Sequence, residues 1–500
     1  MDECPPPPKP KGWIKPDGLV DPCGATILSN KGYGIVKEGN EELVEYLKAY
    51  LTVKPRVNPG APGMGEAKAF PVYRENSTRL YLPRALGLEW FGAPKKDALK
   101  DGPDCPRLVF HGSLRPEQQA PVNAFLAATR DPTRYGGIIS VGCGFGKTVL
   151  GLYIAAQLKK KTLIICHKEF LINQWRERIA QYLPTAKVGL IKAKVVDVED
   201  KDLVLASLQS ISMKEYPPEL FQQFSTVISD ECHHISAEVF SQALPKITCR
   251  YMLGLSATLE RKDGLRKVFE WFLGRPVFQL KKRADIDMEV QMIRYYDPHP
   301  DFGRERVFWN GKKNVPQMIN AICAYEPRNN MILDALTEVL GREPERRVLI
   351  LSDRRNHLVT LDKMIKQRNM GSTGFYVGGM KEEQLKESES KKIILATLSM
   401  VSEGFDVPAL NTLVLASPVS SIEQPSGRIQ RQKPSERTHI PYTIDVWDTF
   451  SIFIGQGKRR LEFYKKQGYK VHGVCDDDDD EDKKEKKPVE FIADEDDVHE

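Results

Sequence analysis

The sequence contains no Cys-x-x-Cys pair, and its nine cysteines are odd in number and scattered from Cys4 to Cys475. That pattern argues against a disulfide framework or a structural zinc module, and for reduced thiols in an intracellular compartment. There is no stretch of about 18 uninterrupted apolar residues, so no transmembrane helix is expected. The first residues, Met1-Asp2-Glu3-Cys4 followed by Pro5 to Pro8, lack the basic and then apolar profile of a secretory signal. A strong charge of either sign is also missing: 73 Lys and Arg stand against 68 Asp and Glu, a net +5. Internal repeats of 20 to 50 residues, which would signal a solenoid, are not apparent.

What is present is an ordinary globular composition, 41% hydrophobic and 28% charged over 500 residues. That length suggests about three domains. The near-neutral charge conceals an asymmetry. Residues 476–500 carry 14 acidic residues and four lysines, a charge of −10, which leaves the remainder at +15. This tail has no apolar periodicity and reads as disordered.

Residues 1–104 begin rich in Pro and Gly and then carry short strand-like runs such as Leu51–Lys54 and Leu80–Leu82, as expected of a small α+β accessory domain. From 105 to 284, apolar runs of strand length alternate with helix-period stretches. The expected strands are Ile138–Val141, Thr162–Cys166, Leu203–Ala206, Thr226–Ser229 and Tyr251–Leu255, with helices over Thr148–Leu158 and Lys168–Tyr182. Such alternation predicts an α/β lobe with a parallel sheet covered by helices. A second series runs from 330 to 475, with strands at Arg347–Leu351, Gly374–Val377, Ile393–Ala396, Thr412–Ala416 and Thr443–Val446. Residues 285–329 mix charged, aromatic and Pro residues and read as a connector.

The strongest local signal is Gly142-Cys143-Gly144-Phe145-Gly146-Lys147-Thr148, after one apolar run and before a helical pattern. Glycines allow a tight turn whose backbone N–H groups point at phosphate, and the next helix presents its N-terminus to the anion. Lys147 would reach the β and γ phosphates and Thr148 would offer a hydroxyl to Mg²⁺. Val141 stands where a strict phosphate-loop pattern has Gly. The plainer alternative is a Gly-rich turn capping a helix.

Further on, Thr226–Ser229 runs into Asp230-Glu231-Cys232-His233-His234. A carboxylate pair at the end of a buried strand suits a nucleotide hydrolase: Asp230 to hold Mg²⁺, Glu231 to orient and deprotonate the attacking water. A zinc site at Cys232, His233 and His234 is the rival. In an extended segment His233 would point away from its neighbours, and no second ligand cluster supports the site.

Together these residues resemble a superfamily 2 helicase of the Asp-Glu-x-His type, with motifs in family order from 114 to 431. Leu114-Arg115-Pro116-Glu117-Gln118 is similar to the opening motif, whose Gln, here Gln118, helps read adenine. Gly254-Leu255-Ser256-Ala257-Thr258 resembles the third motif, which links nucleotide state to nucleic-acid grip. Thr397 through Glu403-Gly404-Phe405-Asp406-Val407-Pro408 resembles the fifth, and Gln424-Pro425-Ser426-Gly427-Arg428-Ile429-Gln430-Arg431 the sixth. The resemblance implies two tandem RecA-like lobes that close on ATP and Mg²⁺. Gln118, Gly142, Gly144, Gly146, Lys147, Thr148 and Asp406 would hold nucleotide, and Thr148 and Asp230 the metal. Asp230, Glu231, Gln424, Arg428 and Arg431 would carry catalysis, and His233, Ser256, Thr258 and Gly404 the coupling. Without the resemblance, Arg428 and Arg431 could equally be a surface salt-bridge pair.

Leu259-Glu260-Arg261-Lys262-Asp263-Gly264 is similar to an Arg-Glu-Asp element of xeroderma pigmentosum B-type DNA helicases, with Lys262 in place of the middle acid. The pieces Gly32–Ile35, Leu51–Pro55, Phe70–Glu75 and Leu80–Arg84 resemble the start of the poxvirus-type transcript-release helicases of large DNA viruses. That likeness implies DNA as the more favoured partner over RNA, 3′-to-5′ movement, contact with transcription machinery, and work in a host cytoplasm or a virion. An RNA helicase, a restriction-type motor subunit and an ATP-gated clamp that does not separate strands are the alternatives. For nucleic-acid contact, the basic clusters Arg261, Lys262, Arg266 and Lys267, then Lys281-Lys282-Arg283, then Lys458-Arg459-Arg460 with Lys465-Lys466 are candidates, although charge runs are commonly just solvated faces. Trp309 could stack on a base, but as a Trp it is expected to be a packing residue.

Overall fold

The computed structural model describes residues 15–55, 68–142, 144–230, 237–257, 259, 265–280, 287–401, 405, 407–420, 422–430, 432 and 437–473. The expected acidic tail, 476–500, lies outside these residues. The chain divides after Ala284 into two compact units.

The first unit opens with a small mixed sheet, ordered Arg74–Glu75, Arg79–Leu82, Gly32–Val36, Ile27–Ser29, Lys96–Asp97. Gly32 lies at φ +114°, where a Cβ would sit 2.3 Å from the Leu82 carbonyl oxygen, so only glycine permits that strand pairing. Helices Glu41–Tyr50 and Arg84–Phe91 cover this sheet. The layer has no separate core. Its Leu47, Leu82 and Trp90 belong to the same apolar cluster as Val268, Trp271 and Leu273 of the following α/β lobe. The Tyr50 ring lies 5.0 Å from Trp90 and 5.4 Å from Trp271 between centroids. Arg250 ties the seam from the other side, donating to Asp97 at 2.7 Å and Asp101 at 2.6 Å.

The lobe itself is an eight-stranded sheet, ordered Val195–Asp197, Val188–Lys192, Leu203–Ser207, Thr162–Cys166, Thr226–Asp230, Tyr251–Ser256, Gly136–Ser140, Pro276–Gln279. All its neighbours are parallel except the first pair. The inner strands read as unbroken apolar runs because helices bury both faces. Lys147–Leu158, apolar nearly all round, buries Leu150, Leu152, Ile154 and Ala155. Glu169–Tyr182 buries one stripe, Leu171, Ile172, Trp175 and Ile179, at helical spacing.

The second unit is a seven-stranded parallel sheet, ordered Thr373–Tyr376, Ile393–Thr397, Val348–Ser352, Thr412–Leu415, Tyr442–Asp448, Glu289–Tyr295, Lys470–His472. Each unit is thus a RecA-like α/β lobe. Within the segment expected as a connector, Glu289–Tyr295 is an inner strand that pairs with Tyr442–Asp448 at seven positions. Helices Val315–Ala324 and Glu326–Arg342 follow it. The strand escaped notice because only Val290 and Met292 are buried apolar positions, interleaved with Glu289, Gln291 and Arg294. Among the described residues no helix is long and apolar enough to cross a membrane.

Candidate nucleotide site

Parallel strands deliver their C-terminal ends to one edge, and the loops that leave that edge gather residues distant in sequence. Ser256 pairs in register with Ser140, and Asp230 with Leu255. The N–H of Val141 donates to the Ser256 carbonyl at 3.0 Å. The glycine loop, Asp230 and Ser256 therefore leave the same edge of the first lobe. The strand that ends in Asp230 lies two strand spacings, about 10 Å, from the strand that feeds the loop.

Gly144 and Gly146 take positive φ, +76° and +92°, and Gly146 is the residue that caps helix Lys147–Leu158. This is a glycine-specific turn that opens directly on a helix N-terminus, with Lys147 and Thr148 in its first turn. A Cβ on Gly146 would also meet Nε2 of Gln118 at 2.5 Å. Gly142 makes no such demand.

Gln118 holds the loop from outside. It is the third residue of helix Pro116–Thr129, and its Oε1 accepts from the N–H of Arg115 at 2.9 Å while its Nε2 donates to the Phe145 carbonyl at 2.8 Å. Proline at the first helical position and glutamine at the third are the residue types such a helix start favours. The guanidinium of Arg115 donates to the same Phe145 carbonyl and to that of Gly144 at 3.5 Å. Gln118 is therefore a clamp on the phosphate loop. One amide N–H and one carbonyl lone pair remain for the adenine contact that the resemblance implies.

Asp230 is buried, and its Oδ2 accepts from the indole Nε1 of Trp175 at 2.8 Å. Gly151 makes room for that indole, since a Cβ there would approach it to 2.9 Å. Next to Asp230 in the sheet, burial pushes the Cys166 thiol well above its ordinary pKa, and the Asp230 charge adds to the effect. A buried carboxylate and a threonine hydroxyl are hard oxygen donors of the kind Mg²⁺ takes alongside phosphate oxygens. Among the described residues no cluster of three or more His, Cys, Asp or Glu offers an alternative metal cage.

Several expected site residues, Glu231, His233, Thr258, Gly404, Asp406 and Arg431, lie outside the described residues, as do Cys232, His234, all of Glu260–Gly264 and the basic run Lys281-Lys282-Arg283. Gln424 is placed only as a position in helix Glu423–Arg428, which ends in the buried Arg428. Sequence reasoning gave no role to Arg115 or Trp175. Arg115 lies inside the opening helicase-like motif without being its adenine-reading residue, and Trp175 falls at core spacing on an apolar helix stripe.

Three of the candidate nucleic-acid contacts are held within the protein, and one residue expected to pack is not buried. Arg266 pairs with Glu270 at 2.7 Å. Lys267 lies over the rings of Trp271 and Tyr50, at 5.2 and 5.3 Å from their centroids. Arg460 is buried against Asp445, with Nε 2.9 Å from Oδ2, and donates to the Val419 carbonyl at 2.7 Å. These three are packing and pairing residues because long cationic side chains cover apolar seams or neutralise buried carboxylates. Trp309 departs in the opposite sense. It is not packed at all but 97% exposed.

Comparison with known proteins bears on the same segments. The chain matches the family model described as type III restriction enzyme, res subunit, over residues 111–261, and that described as helicase conserved C-terminal domain over residues 331–433. It is 33% identical to a protein of Acanthamoeba polyphaga mimivirus named as an ATP-dependent RNA helicase, over 89% of this chain and 86% of that one. It is 28% identical to a protein of Escherichia phage T5 named as a helicase, over 89% of this chain and 95% of that one. Among solved structures, a fragment of an HsdR subunit of a type I restriction enzyme from Vibrio vulnificus resembles its fold. That match has a TM-score of 0.50 and 16% identity, and covers 73% of this chain and 69% of the other.

Proposed function

The chain belongs to the superfamily 2 helicases of large DNA viruses, and from that premise we propose that it is a DNA-directed motor serving viral transcription or transcript release. It is an ATP-dependent helicase and acts on nucleic acid. The observation that carries the nucleotide chemistry is the shared sheet edge: a glycine loop clamped by Gln118 and Arg115, with the Asp230 carboxylate two strands away.

On this reading the loop N–H groups and Lys147 bind the β and γ phosphates, which concentrates positive potential where charge is displaced. Thr148 and Asp230 would hold Mg²⁺, which would supply neutralisation of the phosphate charge. Trp175 keeps the Asp230 carboxylate oriented, and Glu231 takes the proton of the attacking water. By the helicase resemblance, Arg428 and Arg431 would supply guanidinium charge to the transferring phosphoryl group.

DNA rather than RNA is favoured by the N-terminal likeness to transcript-release helicases. The name of the mimivirus relative favours RNA instead. The free thiols Cys105, Cys166, Cys249 and Cys323, all buried, suit a reducing compartment, and host cytoplasm or virion is the proposed place of action.

The test is ATP hydrolysis by the full chain with single-stranded DNA, duplex DNA and RNA in parallel, at two salt concentrations, beside strand displacement on 3′- and 5′-tailed duplexes. Stimulation by DNA with displacement from the 3′-tailed substrate is expected. Stimulation by RNA alone would overturn the DNA assignment, and hydrolysis without displacement would leave a clamp.

A further inference from the structure

Among the described residues no large apolar side chain is more exposed than Trp309. An indole left in water forgoes the burial that normally places tryptophan in a core. Its surroundings show that the exposure is built in.

Trp309 sits at the tip of a short hairpin. Val307 bridges Lys313 in antiparallel register. The N–H of Asn314 donates to the Arg306 carbonyl at 2.7 Å, that of Phe308 to Lys312 at 2.7 Å, and that of Gly311 to Phe308 at 2.9 Å. Gly311, at φ +75°, supplies the left-handed residue that such a tight turn with a bulge requires. The stem is anchored. Ser451 donates to Glu305 at 2.6 Å, and Lys313 pairs with Glu305 at 2.9 Å. Just before the hairpin, Phe302 is buried against Phe450, Tyr295 and Tyr325, with centroids 5.0 to 5.3 Å apart. A held stem with a bare aromatic tip presents the indole instead of hiding it.

The charge around the tip selects the partner. Residues 304–313 contain Arg304, Arg306, Lys312 and Lys313 against the single acid Glu305, a net +3. Exposed apolar surface on the hairpin is confined to Trp309 and Val307, too little for the apolar centre of a protein interface. Cations that take phosphates beside an aromatic that takes a base face are the combination that binds single-stranded nucleic acid.

We propose that the Trp309 hairpin is a nucleic-acid pin of the second lobe, its indole stacking on a base face while Arg304, Arg306 and Lys312 engage the neighbouring phosphates. A base offers its face only where it is unpaired or ends a duplex, so the pin acts on a single strand or at a duplex end. This rests on the helicase reading given above, and the experiment separates the two.

Trp309→Ala and Trp309→Phe are compared with the unaltered full chain in two measurements. One is the affinity for a labelled single strand without ATP; the other is strand displacement per ATP hydrolysed on a tailed duplex. Loss of one base–aromatic stack is expected to cost the alanine variant about tenfold or more in affinity and in displacement. The phenylalanine variant, which keeps a ring, should stay within about threefold of the unaltered chain. Alanine binding and displacing as well as tryptophan would overturn the pin. An unaltered chain that binds the strand but neither hydrolyses ATP nor displaces would overturn the helicase reading and leave the pin to be judged on affinity. No binding by the unaltered chain would overturn both.

Discussion

The indole N–H of Trp175 donates to the Oδ2 of Asp230 at 2.8 Å, both side chains buried at the active edge of the first lobe. The helix that carries Trp175 thereby sets the direction of a carboxylate on a strand 55 residues away. On the proposed reading, a buried anion oriented in this way would need no reorganisation to receive a metal ion.

Trp175→Phe keeps the ring and removes the donor. A hydrogen bond to a charged group is worth about 1.5–3 kcal/mol, so kcat should fall roughly tenfold to a hundredfold while ATP binding persists. The dependence on Mg²⁺ concentration should shift upward with it. An unchanged Mg²⁺ profile, with kcat unchanged, would show that the indole serves packing alone.

Gly146→Ala forces a side chain into positive φ and onto the Gln118 amide. A strain of about 1–3 kcal/mol is expected, seen as a lower melting temperature and a sharply weakened ATP affinity. Equilibrium nucleotide binding checks this. Gly142→Ala, where a Cβ meets nothing within 4 Å, should bind nucleotide far better.

The two nucleotide motifs predict separable defects. Lys147→Ala should abolish hydrolysis by removing the charge that faces the phosphates. If Glu231 is the general base proposed above, Glu231→Gln should bind ATP and turn it over at least about a hundredfold more slowly. Single-turnover hydrolysis beside nucleotide binding distinguishes them.

Arg460→Ala should destabilise the second lobe by about 3–5 kcal/mol, because it strands the buried Asp445 carboxylate. Arg460→Met combined with Asp445→Leu should recover most of the loss. Lys466→Ala, exposed on the same helix, should leave the denaturation midpoint unchanged.

His357 gives a pH dependence. It is buried between the Ser352 hydroxyl and the Asn329 amide, each at 2.9 Å, and burial pushes its pKa from 6.5 down to about 3. Between those values the unfolded chain takes up a proton that the folded lobe refuses. Stability is therefore whole above pH 6.5 and is lost as pH falls toward 3. His357→Gln should flatten that slope in denaturant melts taken from pH 7 to pH 4.

The central strands of both sheets were legible in the sequence because a strand covered on both faces must be apolar along its length, as in Thr162–Cys166 and Val348–Ser352. Glu289–Tyr295 was not legible, since it mixes charge with apolar residues in alternation. The phosphate loop was legible because its chemistry is backbone chemistry, and glycine marks where the backbone must turn. Arg460 was misread for the opposite reason. Its sequence neighbours Lys458 and Arg459 say nothing of Asp445, which lies on a strand of the sheet that the helix packs against.

Periodicity and turn chemistry are local, so two α/β lobes and the order of the nucleotide motifs can be read along the chain. Tertiary structure alone decided that Gln118 clamps Phe145, that Trp175 orients Asp230, and that Trp309 stands bare on its hairpin. Each of these depends on which surfaces meet when distant segments pack, and a side chain's partner is set by that meeting.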